Sequence, residues 1–190
     1  MSRFIQAAMW YTTGQYRLGI ARRGAAEFDR PLARSHEGKI AQSRQAAILA
    51  SEQYIFATEC MLKGHLELDE VFHDRKHGAG ELFGRLKDPR AKRIRTAFED
   101  HFDFPFDTAI LQMSKSALIE WRYCAVETGG GDLTTNFADA LVLTTGILLH
   151  EDLSVVVQIP SDQQLHWSMI WVRPTVLTAN QTYHTDTPTD

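Results

Sequence analysis

A basic cluster lies near the middle of the chain, where a single acid interrupts a run of cationic side chains. A helix start is expected within it at Asp88-Pro89, because proline at the first helical position lacks only an N–H that the helix leaves unpaired. Cations beside a helix N-terminus can bind phosphate oxygens. The sequence leaves two interpretations open, a phosphate-binding surface or a solvated face balanced by the acids of residues 67–74. The cluster comprises Arg85, Lys87, Arg90, Lys92, Arg93 and Arg95.

Three histidines, His65, His73 and His77, precede this cluster, and Asp69 and Asp74 lie among them. Imidazole and carboxylate groups are common ligands of transition metals. His73 and His77 would share a helix face, but the charged stretch between them leads into a glycine and favours a loop. Neither an HExxH nor a CxxC pattern accompanies them. We therefore predict no metal site and no cofactor.

The element before the basic cluster is predicted to be one long helix over residues 38–66. Its larger apolar residues recur at helical rather than strand spacing. Glu59 and Lys63 are four residues apart, in the orientation that supports an exposed helix by roughly 0.2–0.5 kcal/mol. So long a helix needs partner helices to cover its apolar side. The apolar stripe is Ile48, Ile55, Leu62 and Leu66.

Shorter helices are predicted after the long one, because start and stop signals alternate along the chain. Four or five helices joined by short loops favour an all-α, up-and-down bundle. The signals are Glu81–Leu86 for a short helix, Asp88-Pro89 and Pro105 for the next, Asp107 and Gly129–Gly131 for a third, and Asp132 or Thr134 for the last.

The flanking segments are predicted to differ from the bundle. A short helix and an arginine-rich loop are expected before it. After it, the runs Leu153–Ile159 and Leu165–Val172 are compatible with a small C-terminal β-hairpin that turns at Pro160–Gln164. The threonine-rich tail is predicted to be disordered. The predicted divisions are residues 1–35 for the N-terminal extension, 36–150 for the bundle, 151–173 for the hairpin and 174–190 for the tail.

Composition bears on the charge, cellular compartment and oligomeric state expected of the protein. The net charge of −4 gives the whole chain no basic character. Cys60 and Cys124 each fall in a predicted helix, which is typical of buried thiols in a reduced cytoplasmic protein. The N-terminus lacks the pattern of a secretory signal, and no apolar run is long enough to span a membrane. Four tryptophans and ten phenylalanines exceed what one bundle core readily absorbs, which favours a homodimer.

Three short motifs occur in a characteristic order: Glu59-x-x-Leu62-Lys63 in the long helix, Lys76-His77-Gly78 before the next, and Trp121-Arg122-Tyr123 with Glu127 later. Over roughly residues 40–150 the chain resembles the HEPN family of helical-bundle domains from bacteria and archaea. The resemblance implies a bundle fold and a role in stress, defence or mobile-element systems. It implies structural roles for Glu59, Lys63, His77, Arg122 and Glu127.

The resemblance also bears on activity, since active HEPN members cleave RNA without a metal through an arginine followed four to six residues later by a histidine. Histidine can move the 2′-hydroxyl proton, and arginine can stabilise phosphate charge. Arg95 and His101 fit this spacing, but within one helix their side chains would lie about 120° apart. Arg30 and His36 fit it only outside the matched region, and Arg122 has no histidine in the required window. We therefore expect a non-catalytic binding or regulatory module, with RNA or a nucleotide as its ligand.

Two alternatives stay open beside this expectation. One is a metal-independent endoribonuclease or toxin that uses Arg95 and His101. The other is a structural protein that masks a protein partner. The sequence leans away from an enzyme without excluding one.

Overall fold

The computed structural model describes residues 2–29, 33–73, 77–113, 132–156, 158–167 and 176–178. Within these ranges the chain is mostly helical, which confirms the predicted all-α bundle. A 3₁₀ helix covers Ser161–Gln163, and Asp132–Thr134 pairs antiparallel with Val176–Thr178. No helix in the described ranges is long and apolar enough to cross a membrane. The helices are α1 (Arg3–Asp29), α2 (His36–Leu68), α3 (Ala79–Phe83), α4 (Asp88–His101), α5 (Phe106–Gln112) and α6 (Thr135–Ser154).

The first helix is the main departure from the sequence prediction. The prediction of a short helix followed by an arginine-rich loop is wrong, because α1 is 27 residues long and packs along α2. Arginine is a good helix former, so the arginines between the buried positions do not interrupt the helix. The inner face of α1 consists mostly of small residues, which a search for large apolar side chains overlooks. Its buried members include Ala7, Tyr11, Leu18, Ala21 and Ala25.

Close approach of α1 to α2 depends on glycine. A Cβ added at Gly24 would lie 3.2 Å from the Ala46 carbonyl oxygen and 3.2 Å from the Ala50 backbone nitrogen. A Cβ at Gly14 would lie 2.8 Å from the Met61 Cε atom. Since interiors are close-packed, a larger residue on this seam must push the helices apart.

The long helix is confirmed as α2, which is 33 residues long. The Ser35 hydroxyl caps it by accepting the Gly38 N–H at 3.0 Å. Ile55, Leu62 and Leu66 are buried as the stripe predicts. The helix contacts α1, α3 and α6 and is the central element of the described bundle.

A buried carboxylate joins α6 to the first two helices. Asp139 is 3% exposed and accepts two hydrogen bonds from the Arg22 guanidinium, at 2.7 and 2.8 Å. The Tyr54 hydroxyl donates to the same carboxylate at 3.2 Å. Burial, followed by the charge of Asp139, raises the pKa of Tyr54 well above its usual range. The hydroxyl therefore stays protonated and remains a donor.

The start of α4 is as predicted, with Pro89 in the first turn, but its cap is not. Lys87 rather than Asp88 occupies the N-cap position and provides no side-chain cap. Instead, Asp69 from the end of α2 accepts the Lys87 N–H at 3.0 Å. A carboxylate at this place also complements the positive end of the α4 dipole.

The later helices share an aromatic core. Phe98 in α4 and Phe106 in α5 are fully buried, with ring centroids 5.4 Å apart. Pro105 occupies the N-cap position of α5. The predicted continuation of this helix beyond Met113 lies outside the described residues. The last predicted helix is confirmed as α6, and Leu141, Thr144 and Leu148 are buried on it.

The first strand of the predicted β-hairpin is wrong. Residues up to Ser154 belong to α6, and Val155 and Val156 follow in a turn with exposures of 83% and 58%. Leu153 lies four residues after Leu149 and is buried with it, so the apolar face of α6 carries the helix past the predicted strand start. The predicted turn forms the 3₁₀ helix instead. The second run after Trp167, and the tail apart from residues 176–178, lie outside the described residues.

The close contact between α1 and α2 at Gly14 and Gly24, here called the glycine seam, can be tested with a pair of variants. Gly24→Leu is expected to lower the free energy of unfolding by about 2 kcal/mol or more, because its side chain would meet the α2 backbone. Gly19→Ala is the control, since an added Cβ there meets only the Arg23 Nη1 atom at 3.8 Å. It should stabilise the protein by about 0.5–1 kcal/mol through helix propensity. Urea unfolding of both variants measures the difference, and equal effects would contradict the close seam.

Candidate ligand-binding site

An open pocket of about 470 Å³ lies where the start of α1 meets the end of α2. Its α1 residues are spaced three and four apart, and its two α2 residues four apart, so each helix presents one face to the pocket. The segment after α2 forms the remaining wall. The lining residues are Arg3, Gln6, Trp10, Lys63, Glu67, Val71, Phe72, His73 and His77.

The turn after α2 brings this wall into place. Glu70 has φ 58°, a left-handed conformation usually taken by glycine. The Val71 N–H donates to the Leu66 carbonyl at 2.9 Å, and the Glu70 N–H donates to the Glu67 carbonyl at 3.1 Å. These two bonds form a Schellman motif, which ends the helix and reverses the chain. Phe72 and His73 both line the pocket, where the His73 ring meets Trp10 of α1.

The structure brings together three motif residues, Glu59, Lys63 and His77. Lys63 Nζ lies 2.6 Å from Glu59 Oε1, and His77 Nδ1 lies 2.9 Å from the same oxygen. The side chains of Glu59 and Lys63 are only 9% and 8% exposed. The ion pair is therefore buried between helices rather than lying on a solvated helix face. Arg122 and Glu127, the other two motif residues, lie outside the described residues.

A second carboxylate in the pocket has a similar arrangement. Glu67 Oε1 lies 2.9 Å from His73 Nε2, and Glu67 Oε2 lies 3.4 Å from Arg3 Nη1. Trp10 connects the two groups, because Lys63 Nζ lies 5.0 Å from its ring centroid and the His73 ring meets it edge-on at 5.9 Å. The pocket wall is therefore one continuous set of contacts between α1, α2 and the following segment.

The charges of this pocket are balanced, because Lys63 pairs with Glu59 and Arg3 pairs with Glu67. Each carboxylate already faces two nitrogen groups, so neither is an uncompensated negative charge. Lys63 and Arg3 each use one N–H in the described ion pairs, and an ammonium has three donors and a guanidinium five. His77 is held through Nδ1 and its side chain is 58% exposed, which leaves the Nε2 edge accessible. Phe72, 77% exposed, adds an apolar surface at the rim.

The basic cluster is not a surface of free cations. Arg90 Nε contacts Asp69 at 2.8 Å, and Arg90 also contacts Asp152. Arg93 pairs with Asp152 at 2.5 Å and with Glu151 at 2.6 Å. Arg95 pairs with Asp107 at 2.8 Å and Arg85 with Glu81 at 3.8 Å, so four of the six predicted cations have an acidic partner.

Of the other cations of the cluster, Arg85 is no more exposed than Arg93 or Arg95. Arg85 donates to the Phe72 carbonyl at 3.1 Å and lies 3.8 Å from Glu81. Lys87 and Lys92 are exposed, and their side chains have no ion pair in the described ranges. Phosphate binding by the cluster stays a prediction, with fewer available charges than the sequence suggests.

The candidate nuclease pair does not share partners. Arg95 makes two hydrogen bonds to Asp107, both at 2.8 Å, and its guanidinium lies 4.9 Å from the Phe106 ring centroid. His101 stacks on Trp167 with a centroid distance of 3.7 Å, and its Nδ1 lies 2.8 Å from the Ala97 carbonyl oxygen. Each side chain is thus positioned by its own neighbours, and neither is directed at the other by a described contact.

The three histidines also separate. His65 is fully buried, and its Nε2 donates to the Thr145 carbonyl at 2.9 Å while Nδ1 lies 3.2 Å from Arg90 Nη1. Burial and the Arg90 charge lower the pKa of His65 to about 4, so the ring is neutral and structural. His73 and His77 belong to the pocket. Among the described residues, no group of three or more histidine, cysteine or acidic side chains is arranged to bind a metal.

Sequence reasoning missed Arg3, Trp10 and Phe72. The signal for the first two was the spacing of Arg3, Gln6 and Trp10, which marks one face of a helix, in a segment predicted to be a short helix outside the bundle. Phe72 had no local signal, because its importance depends on the turn at Glu70.

No protein-family model matches the chain, and the curated proteins and solved structures contain no match to it. The resemblance to HEPN domains therefore rests on the three sequence motifs.

The buried Glu59–Lys63 pair gives a stability prediction. Lys63→Met should lower the free energy of unfolding by about 3 kcal/mol, because it leaves Glu59 buried without its ammonium partner. Lys92→Met, at an exposed position without an ion pair in the described ranges, should change it by less than about 0.5 kcal/mol. Denaturant unfolding at neutral pH measures both. The double variant Glu59→Gln, Lys63→Met should recover much of the loss, and no recovery would contradict the pairing.

His65 gives a pH prediction. Its folded pKa of about 4 lies below the ordinary value of 6.5, so the unfolded chain binds the proton more readily. The contribution of the neutral His65 ring to the free energy of unfolding is therefore fully present above pH 6.5, and it is lost as the pH falls toward 4. The loss between pH 7 and 4.5 should be on the order of 2 kcal/mol. Unfolding free energies measured across this range should depend less on pH in His65→Gln, and an unchanged dependence would contradict the assignment.

Proposed function

We propose that the chain is a HEPN-like helical-bundle module that binds RNA or a nucleotide without cleaving it. The three sequence motifs and the all-α bundle support the family part of this proposal. The proposed setting is the cytoplasm of a bacterium or archaeon, in a stress, defence or mobile-element system. Cys60 is buried, and burial followed by the charge of Glu59 raises the pKa of its thiol to about 11. Such a thiol is unreactive, which suits a reducing compartment.

One observation carries the binding part of the proposal, the pocket between α1 and α2. It combines an accessible arginine, Arg3, with the exposed ring of Phe72, and cationic groups and aromatic surface are the two features that nucleic-acid-binding sites use. Arg95 and His101, the candidate cleavage residues, are instead held by partners of their own. Arg95 is engaged by Asp107 and His101 by Trp167, so cleavage would require both side chains to leave their described partners.

The proposal includes a homodimer. Ile5, Met9 and Tyr16 are exposed on α1, with exposures of 51%, 58% and 66%. Their spacing of four and seven residues places them on one outer face of that helix. Sedimentation at micromolar concentration tests the dimer, and a monomer would contradict this part. Co-purification with another protein would instead favour a masking partner.

Binding and cleavage are separated by one experiment. Purified protein is mixed with labelled total RNA in EDTA, and both retention and fragment length are measured at 50 and 200 mM salt. We expect retention that falls about tenfold or more over this range, as counterion release requires, and intact RNA. Absence of binding at low salt would contradict the proposal. Cleavage that is lost in Arg95→Ala and His101→Ala would replace it with the ribonuclease alternative.

A further inference from the structure

We propose that a second pocket, between α1 and the 3₁₀ helix, binds a small aliphatic ammonium ion, with Asp162 as its counter-charge and the Tyr16 ring as its aromatic wall. This pocket has a volume of about 400 Å³, which lies within the range of sites for small molecules. It shares no lining residue with the pocket at Arg3. The ammonium site is therefore independent of the proposed binding of RNA or a nucleotide.

Two elements form the walls of this second pocket. Tyr16 and Gly19 lie three residues apart on α1 and so share one face of that helix. The opposite wall is the segment that follows α6, which is held against α1 because the Leu165 N–H donates to the Tyr11 hydroxyl at 3.3 Å. The Leu165 side chain is buried in the core. Asp162, three residues earlier, thereby belongs to the wall that faces α1.

Donor groups around this pocket are already used within the protein. The Thr12 hydroxyl donates to the Ala8 carbonyl at 3.0 Å, so its oxygen is left as an acceptor. Gln164 Nε2 donates to the Ile159 carbonyl at 3.1 Å, which leaves the amide oxygen as the accepting end of that side chain. A ligand that enters the pocket therefore meets acceptors, and a ligand rich in donors is favoured.

The charges of the second pocket favour a cation over an anion. The Asp162 carboxylate is exposed and makes no hydrogen bond or ion pair with any residue in the described ranges. Arg22 also lines the pocket, but its guanidinium makes two hydrogen bonds to Asp139, so its positive charge is already balanced. Tyr16 is 66% exposed, and the face of an aromatic ring attracts an organic cation. An ammonium group can thus meet an unbalanced carboxylate and a ring face in one pocket.

The apolar part of the pocket suits an aliphatic body. Leu18 and Leu165 are among its lining residues. Gly19 also lines the pocket and leaves open space there, since an added Cβ would meet only the Arg23 Nη1 atom at 3.8 Å. A short chain of methylene groups can occupy this space while its ammonium end meets the carboxylate. A linear aliphatic amine combines these features.

Two sources provide this chemistry, a free aliphatic amine and a lysine side chain of another protein. Three probes test the charge and the source: putrescine, which is a linear diamine, butanediol, which is uncharged and has the same chain length, and a lysine tripeptide with blocked ends. Calorimetry gives the affinity of each probe for the full chain. Tyr16 also lies on the outer face of α1 proposed for the dimer, so all measurements use one protein concentration at which sedimentation shows a single species. We expect putrescine to bind most tightly.

Variants of Asp162 and Tyr16 test the two groups assigned to the ammonium ion. Asp162→Asn should weaken putrescine binding about tenfold or more, because it removes a charge-assisted hydrogen bond. Asp103→Asn is the matched control, since Asp103 is also exposed but does not line the pocket. Tyr16→Leu should weaken binding about 2- to 5-fold, whereas Tyr16→Phe keeps the ring face and should bind like the wild type.

A variant at Gly19 tests the place of binding. Gly19→Leu should fill the open space in the pocket and weaken putrescine binding about tenfold or more. Leucine is a good helix former, so the helix is retained, and urea unfolding of the variant confirms that it folds. Gly19→Ala adds a single methyl group and should retain binding.

Each contrary result removes a different part of the proposal. Equal affinities for putrescine and butanediol would overturn the cationic ligand, and tighter binding of the lysine tripeptide would overturn the small-molecule assignment. Equal putrescine affinities in Asp162→Asn and Asp103→Asn would overturn the counter-charge. Unchanged binding in folded Gly19→Leu would overturn the pocket itself. Wild-type protein that does not bind putrescine would overturn the whole proposal and would leave the proposed binding of RNA or a nucleotide untouched.

Discussion

The buried carboxylate of Asp139 is the constraint on which the bundle depends. It lies on α6 and needs both the Arg22 guanidinium from α1 and the Tyr54 hydroxyl from α2, because a buried charge without partners costs several kcal/mol. These contacts fix the position of α1 along α2. The candidate pocket depends on the same register, since Arg3 comes from one helix and Lys63 from the other.

The sequence predicts the elements whose inner faces carry large apolar side chains. α2 and α6 are such helices, and their stripes are buried as expected. The full length of α1 was not predicted, because alanine and glycine form much of its inner face, and they signal close packing only when the partner helix is known. The valines after Leu153 favoured a strand locally, but Leu149 and Leu153 are buried on one face of α6, so the helix runs to Ser154 and Val155 and Val156 follow in a turn.

In the candidate site, too, the sequence shows which residues belong to motifs but not which contacts they make in the fold. Glu59, Lys63 and His77 were singled out by their motifs, but the sequence does not show that two of them share one carboxylate oxygen in a buried place. The basic cluster was overestimated for a related reason. The acids that pair with Arg90 and Arg93 include Asp152, about sixty positions away, and such pairing is a property of the fold rather than of local charge.

The position of Arg3 affects how this protein can be handled. The Ser2 carbonyl accepts the N–H groups of Ile5 and Gln6, so the helical turn that carries Arg3 is already formed at the first described residue. Arg3 lines the candidate pocket and follows Ser2 directly, so a polypeptide joined ahead of Ser2 would be close in sequence to that lining. A purification tag fused there is therefore best removed before the pocket is tested for binding.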